Sequence, residues 1–457
     1  MSKYNAYPEN FIWGVATSSY QIEGAPSSGG KGPSVWDTFS HTDGKIKNND
    51  NGDIACNHFN LWPRDVNLMD ELGINAYRFS ISWPRIFPTG LESNPNQSGL
   101  DYYNSLVDAL LEKNIIPFIT LNHWDIPQGL GDLGGWTNRK IIEEFVKYSY
   151  YISYNLGDRV KHWITHNEPW CISHLGYIEG IKPPGLNNNW PKNLASAHHL
   201  LLSHGMAVSE IKNNTKQSEV GITLNLNTAI PASNSEEDQI ACRFYDGHFN
   251  RLYLDPLYKK KYPQDVFKYL IEKKLINDKD LNIIKPDDLK RISIHTDFLG
   301  VNYYSRAIIQ NEEIESEENF QSKLTLGPKT DFGWEVYPSG IYDLLCRLNI
   351  EYNVNKIYIT ENGCSYGDSP NDQGRIKDVR RIDYHQSHLE QIKKAIHEGI
   401  PCKGYFAWSL MDNFEWSQGF SQRFGLVWVD FKTLERIPKD SFYWYKKFIS
   451  SNRIRKN

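Results

Sequence analysis

The sequence lacks several features that mark common protein classes. No run approaches the roughly 18 apolar residues of a transmembrane helix, and the start has no apolar core of a secretory signal, so we expect a cytoplasmic protein without a membrane partner. The six cysteines are scattered without a CxxC pair, which is typical of reduced thiols. Neither GxGxxG after the first apolar run nor HExxH is present, which argues against a dinucleotide-binding sheet and a zinc hydrolase.

An excess of positive charge is also missing. The 50 basic and 55 acidic residues leave a formal charge of −5, so nucleic acid is not an expected partner. What the 457 residues do have is 40% hydrophobic and 13% aromatic side chains, the composition of a globular protein with a large core.

Short apolar runs alternate with longer stretches of helical period along the whole chain. The predicted strands are Phe11–Thr17, Ala76–Ile81, Ile116–Leu121, His162–Thr165, Val220–Leu226, Phe298–Tyr303, Ile357–Thr360 and Tyr405–Trp408. The predicted helices are Asn57–Leu72, Leu100–Lys113, Lys140–Tyr154, Leu194–Ile211, Ile341–Tyr352 and Asp383–His397. Eight such units predict an α/β fold, a single (β/α)8 barrel over residues 1–457, with long loops at Gly24–Gly52 and Ile309–Phe332 forming an active-site rim.

Polar and aromatic side chains finish the predicted strands. They include Gln21, Arg78, His123, Trp124, Asn167, Glu168, Asn302, Tyr304, Glu361, Trp408, Glu415 and Trp416. Amides and carboxylates hydrogen-bond hydroxyl groups, and indole faces cover the C–H faces of a pyranose. The mixture suits a neutral sugar, and the scarcity of Lys and Arg argues against a phosphate ligand.

Two carboxylates, Glu168 and Glu361, directly follow apolar runs. A buried carboxylate is costly unless it is paired or functional. Glycoside hydrolysis needs two such groups, one to protonate the leaving oxygen and one to act at the anomeric carbon. The alternative from the residues alone is that each belongs to a structural ion pair, for instance with Arg78.

Six segments in fixed order carry a family resemblance. They are Phe11–Gly24, Tyr77–Ile86, Thr165–Pro169 (THNEP), Ile359–Gly363 (ITENG), Asp412–Trp416 and Arg423–Leu426. The chain resembles glycoside hydrolase family 1 over essentially its whole length. The resemblance implies a (β/α)8-barrel, configuration-retaining β-glycosidase that needs no cofactor and no metal.

The resemblance also implies roles for individual residues. Glu168 is then the general acid and later the base, and Glu361 is the nucleophile, with Tyr304 and Arg78 beside it. Sugar contacts are implied for Gln21, His123, Trp124, Asn167, Asn302, Trp408, Glu415, Trp416 and Phe424, and Trp334 is implied as a wall on the aglycone side.

The chemistry sets further expectations. Two carboxyls about 5–5.5 Å apart leave no room for a water between nucleophile and sugar, which gives double displacement with retention. Glu361 must be ionised at rest, favoured by Arg78, and Glu168 protonated, favoured by the charge of Glu361. The predicted function is hydrolysis of terminal β-glucosyl residues from cello-oligosaccharides and aryl β-glucosides.

Several alternatives remain open at the level of the sequence. A 6-phospho-β-glucosidase shares both glutamates but generally replaces the Glu415–Trp416 pair, and an inactive sugar-binding relative would have lost one glutamate. The natural aglycone, the preference among gluco, galacto and fuco sugars, and a homo-oligomeric state are not determined. Asp125 is expected to support the site by hydrogen bonding, and Cys171 to be a packed thiol.

Overall fold

The structure, a computed structural model, describes residues 6–311 and 324–452. Its centre is a closed barrel of eight parallel strands. The strands are β1 (Ile12–Ala16), β2 (Ala76–Ser80), β3 (Ile116–Asn122), β4 (His162–Asn167), β5 (Glu219–Asn225), β6 (Phe298–Asn302), β7 (Ile357–Asn362) and β8 (Cys402–Trp408). All eight predicted strands are present, and the (β/α)8 fold is confirmed.

The strands follow one another around the barrel in chain order, and the last one pairs with the first. In that closing pair Ile12 lies beside Gly404 and Ala16 beside Trp408. The other edge of β1 pairs with β2, where Gly14 lies beside Ala76. Closure leaves no free sheet edge, and it brings residues that are about 390 positions apart in the chain into direct hydrogen bonding.

The barrel is filled by side chains rather than by solvent. Its interior holds Phe118, Phe298, Tyr358 and Phe406 among small residues such as Ala16. A Cβ atom on Gly14 would lie 2.3 Å from the Phe406 ring, so only glycine leaves room for that ring. A second and larger apolar layer lies between the strands and the surrounding helices.

Amphipathic helices surround the strands. The main ones are α1 (His58–Leu72), α2 (Gln97–Glu112), α3 (Ile141–Leu156), α4 (Pro169–Tyr177), α5 (Trp190–Asn214), α6 (Ser339–Tyr352), α7 (Val379–His397) and α8 (Asp440–Asn452). Between β5 and β6 the chain adds Glu236–Asp246, Leu252–Tyr258, Gln264–Glu272 and Asp288–Ile292. In the described part of the chain, none of the helices combines the length and the apolar character needed to cross a membrane.

The two predicted loops contain more structure than expected. The segment Gly24–Gly52 includes the helix Val35–Ser40, which Ser34 begins with a capping box. The predicted loop Ile309–Phe332 begins one residue too early. Ile309 is the last residue of Ala307–Ile309, which pairs in parallel with Ala229–Pro231 in a small sheet outside the barrel. Residues 312–323 of that loop lie outside the described residues.

A buried ion pair ties α1 to the C-terminal part of the chain, and we expect its loss to be strongly destabilising. Asp65 binds Arg436 at 2.9 and 3.1 Å and His58 at 2.7 Å, and both members of the ion pair are fully buried at the side chain. Asp65→Ala leaves a buried guanidinium without its carboxylate, which costs about 3–5 kcal/mol of the free energy of unfolding, to be measured by urea denaturation. The matched control Lys113→Ala breaks a pair whose members are 39% and 47% exposed, and should cost less than about 1 kcal/mol. Equal losses in both variants would contradict this prediction.

Candidate active site

A cavity of about 410 Å³ opens at the carboxyl ends of the strands. Eleven of the predicted site residues line it: His123, Trp124, Glu168, Asn302, Tyr304, Trp334, Glu361, Trp408, Glu415, Trp416 and Phe424. The other three, Gln21, Asn167 and Arg78, lie directly behind that lining and hydrogen-bond to it. The sugar contacts expected of Gln21 and Asn167 stay predictions.

Glu361 belongs to β7 and is held by two donors. The Nη1 atom of Arg78 donates to its Oε1 at 2.6 Å, and the Tyr304 hydroxyl donates to its Oε2 at 2.7 Å. Arg78 comes from β2 and is fully buried, so its charge is directed at this carboxyl in a region of low dielectric. Each carboxyl oxygen of Glu361 thus accepts a hydrogen bond, which favours the ionised form.

Glu168 lies at the turn between β4 and α4. Its φ of 47° is in the left-handed region, and Pro169 then begins the helix with its fixed φ. The Asn302 amide donates to Oε1 at 2.7 Å, and the Cys171 thiol donates to Oε2 at 3.0 Å. Cys171 is buried, as expected of a packed thiol, and it lies one turn along α4, where it also bonds the carboxyl.

A chain of hydrogen bonds connects the two carboxyls. Arg78 donates from Nη2 to Oδ1 of Asn167 at 2.7 Å, and Asn302 donates to the same oxygen at 3.0 Å. Asn302 also donates to Glu168, while Arg78 donates to Glu361. Residues from four strands, β2, β4, β6 and β7, therefore fix the two carboxyls relative to each other.

The electrostatics of Glu361 combine opposing effects. Burial raises its pKa to about 7; the positive charge of Arg78 acts in the opposite direction, and the negative charge of Glu168 adds to the rise. The expectation that Arg78 favours ionisation is right in direction, but burial shifts the pKa the other way. The hydrogen bonds from Arg78 and Tyr304 to Glu361 thus favour its ionised form against the effect of burial.

His123 is a neutral imidazole that accepts a hydrogen bond from Asn167. Burial lowers the pKa of this imidazole well below its usual value, and Arg78 adds to the shift. The Asn167 amide nitrogen donates to Nε2 at 3.1 Å, which leaves the hydrogen on Nδ1. Nδ1 is itself buried, and among the described residues nothing accepts that hydrogen.

Glu415 faces the cavity with weak support from the protein. Gln21 approaches its Oε2 at 3.5 Å while making shorter bonds to Asn413 and the Phe414 carbonyl. Burial raises the pKa of Glu415 to about 8, opposed by the charge of Lys182. A ligand hydroxyl that donates to this carboxyl would add to the long hydrogen bond from Gln21.

Aromatic rings form both ends of the cavity. At one end Trp416 lies 4.4 Å from Trp124 between ring centroids and stacks on His123 at 5.9 Å. At the other end Trp334 lies 5.0 Å from Tyr304 and 4.2 Å from Phe332. Sugar rings bind to faces of this kind through their C–H groups.

The structure also brings in residues that the sequence did not single out. Lys182 lines the cavity, and its ammonium lies 3.3 Å from the centroid of the Trp124 ring. Glu179 lines the same wall, where burial raises its pKa to about 7. Both follow α4 rather than a strand, so strand-end reasoning could not find them. Across residues 6–311 and 324–452, no group of three His, Cys, Asp or Glu side chains is placed to hold a metal.

A (β/α)8 barrel that holds two linked carboxyls among indole, amide and imidazole groups at its rim defines a glycoside hydrolase. The family model described as Glycosyl hydrolase family 1 matches residues 3–454, and the chain belongs to that family.

Individual relatives are similar over nearly their full length. The chain is 46% identical over 451 residues to Beta-glucosidase A of Thermotoga maritima, covering 98% of each protein. It is also 46% identical to the 1,4-beta-D-glucan glucohydrolase of Thermotoga neapolitana, covering 98% of this chain and 99% of that one. A solved structure of the Thermotoga maritima enzyme in complex with glucoimidazole matches with a TM-score of 0.92 at 45% identity, covering 98% of this chain and 100% of that one.

Proposed function

We propose that this protein is a retaining β-glucosidase that releases terminal β-D-glucosyl residues from cello-oligosaccharides and aryl β-glucosides. The observation that carries the proposal is the pair of carboxyls in one cavity with different surroundings. Glu361 is held by a cation and a phenol, whereas Glu168 is held by an amide and a thiol. Environments that separate two carboxyls in this way assign one as nucleophile and the other as acid.

In the first step the Glu361 carboxylate attacks the anomeric carbon and forms a glycosyl ester. The bond to the aglycone breaks, and the leaving oxygen takes the proton of Glu168. Ester formation removes the negative charge of Glu361, so Glu168 no longer has an anion beside it.

In the second step Glu168 takes a proton from an incoming water, which attacks the anomeric carbon. The ester bond to Glu361 breaks and its carboxylate is restored. Two inversions at one carbon give a β-configured product, and neither step needs an external reactant other than water.

The sugar specificity follows from the cavity lining. The His123 imidazole and the Glu415 carboxyl line the cavity and can hydrogen-bond hydroxyl groups of the sugar, while Trp408 and Trp416 cover its ring. These groups suit a neutral hexose, and the overall charge of −5 adds no attraction for nucleic acid.

A comparison of nitrophenyl β-glycosides with phosphorylated substrates tests this proposal. We expect turnover of nitrophenyl β-glucoside and of cellobiose. The kcat/KM for cellobiose 6′-phosphate, with the phosphate on the non-reducing unit, should be at least about tenfold lower than that for cellobiose, because Glu415 brings no positive charge to a phosphate dianion. Early product should be β-glucose by NMR. A higher kcat/KM for the phosphorylated disaccharide would make the protein a 6-phospho-β-glucosidase instead, and α-glucose as first product would exclude retention.

A further inference from the structure

Cys171 bonds Glu168 twice within the first turn of α4. Its Sγ lies 3.0 Å from Oε2 of Glu168, and its backbone amide donates to the Glu168 carbonyl at 2.9 Å. The left-handed φ of Glu168 and the helix that Pro169 begins bring the two side chains together. The thiol is therefore held against the carboxyl by the same turn that points Glu168 into the cavity.

The two oxygens of the Glu168 carboxyl have different donors. Oε1 accepts from the Asn302 amide of β6 at 2.7 Å, whereas Oε2 accepts from the thiol. Within residues 6–311 and 324–452, no other side chain donates to Oε2. Removing the thiol would thus leave this oxygen without a donor from a protein side chain, while the bond from Asn302 would remain.

The thiol keeps its proton and therefore acts as a donor. Cys171 is only 7% exposed. Burial raises the pKa of its thiol well above the usual value, and the negative charge of Glu168 adds to the rise, while Lys182 acts in the opposite direction. A hydrogen bond donated to a carboxylate favours the charged form over the neutral acid. The contact with Oε2 thus favours the carboxylate of Glu168.

Other charged and titratable groups face Glu168 without bonding it. They are Glu361 of β7, Tyr304 after β6, Glu415 after β8 and Lys182 after α4. Among the titratable side chains of the described residues, only Cys171 hydrogen-bonds this carboxyl. A substitution at Cys171 therefore changes that bond and leaves the other four groups in place.

We propose that Cys171 is a positioning residue for the acid and base of the reaction, whose thiol holds Oε2 of Glu168 and favours its carboxylate form. The inference rests on the proposed β-glucosidase function and adds a residue that acts through Glu168. In the first step Glu168 must be protonated, so the bond lowers the pH up to which the acid can work. In the second step Glu168 must be ionised, so the same bond lets the base work at lower pH.

Loss of the thiol should therefore move two pH limits in the same direction. With cellobiose, whose leaving group needs the acid, kcat/KM falls at alkaline pH as Glu168 loses its proton. With dinitrophenyl β-glucoside glycosylation is fast, so kcat reports the second step and falls at acidic pH as Glu168 gains a proton. In Cys171→Ala both limits should lie about half a pH unit higher than in the wild-type protein, the scale of one weak hydrogen bond to a charged group.

Two further variants separate the hydrogen bond from packing. Cys171→Ser keeps a donor of similar size, so both limits should stay at or below their wild-type positions. Cys242→Ala removes another buried thiol, whose charged neighbours are Asp246 and Arg347, and it should leave both limits unchanged.

Three results would overturn the proposal. The first is a Cys171→Ala variant with unmoved limits, including one that is slower at every pH, which would show a packing role instead. The second is equal movement in Cys171→Ala and Cys171→Ser. The third is equal movement in Cys171→Ala and Cys242→Ala.

Infrared spectroscopy tests the bond in the wild-type protein without turnover. The S–H stretching band of Cys171, identified by its absence from Cys171→Ser, should shift to lower frequency as the pH is raised and Glu168 ionises, because the thiol then donates to a carboxylate. In Glu168→Gln the band should not shift with pH. A band that stays fixed in the wild-type protein would contradict the role of Cys171 alone, whereas failure to hydrolyse nitrophenyl β-glucoside would contradict the proposed function alone.

Discussion

Replacing Glu361 by alanine is expected to reduce kcat by about 10⁴-fold or more, because it removes the group that forms the covalent intermediate. The fold should persist, since the Arg78 guanidinium keeps the Thr120 hydroxyl, the Thr360 carbonyl and the Asn167 amide oxygen as acceptors. Steady-state hydrolysis of nitrophenyl β-glucoside measures the loss.

Glu361→Gln is a matched variant that keeps a hydrogen-bond acceptor for the buried Arg78 guanidinium. A glutamine cannot form the covalent intermediate, so this variant should lose activity as severely as the alanine variant. Its amide oxygen can still accept a hydrogen bond from Arg78, so it should unfold at a higher urea concentration than the alanine variant. Near wild-type turnover in either variant would show that Glu361 is not the nucleophile.

Replacing Glu168 by alanine should have an effect that depends on the leaving group. A dinitrophenolate departs without protonation, whereas the glucose unit of cellobiose cannot, so glycosylation stays fast on the first substrate and nearly stops on the second. Water attack on the ester still lacks its base, so dinitrophenyl β-glucoside should give a burst followed by slow turnover. Stopped-flow absorbance measures both phases, and equal losses on the two substrates without a burst would contradict the assignment.

Azide distinguishes the two glutamates by stereochemistry. It needs no base, and in Glu168→Ala it should attack the α-linked ester and give the β-glucosyl azide. In Glu361→Ala no ester forms, so azide should displace the aglycone directly and give the α-azide. Product NMR reads the anomeric configuration, and the reverse pattern would exchange the two roles.

The sequence predicts the barrel well because each strand is a short buried run. The errors of the prediction from sequence occur where the apolar run of a strand is interrupted or too short. The predicted start of β8 at Tyr405 is three residues late because the exposed Lys403 breaks the apolar run that begins at Cys402. The small sheet of Ala229–Pro231 and Ala307–Ile309 is too short to show any period.

The residues of the candidate site likewise fall into two groups, those that strand ends predict and those that they do not. Glu168 and Glu361 were found because they follow or end strands whose carboxyl ends must meet at one rim. The position of Lys182 instead depends on how the segment after α4 folds back against Trp124, which no local pattern encodes. Cys171 was visible in the sequence, but its bond to Glu168 depends on the turn at the end of β4.

The pairing of β1 with β8 also has a consequence for synthesis of the protein. A nascent chain leaves the ribosome from its N-terminus, and β1 lacks one of its two neighbours until Trp408 has emerged. Until then the growing sheet has two open edges, which are templates for pairing with other chains. Glu168 and Glu361 are both made before that point, so a truncated polypeptide can carry both carboxyls and still have no enclosed pocket around them.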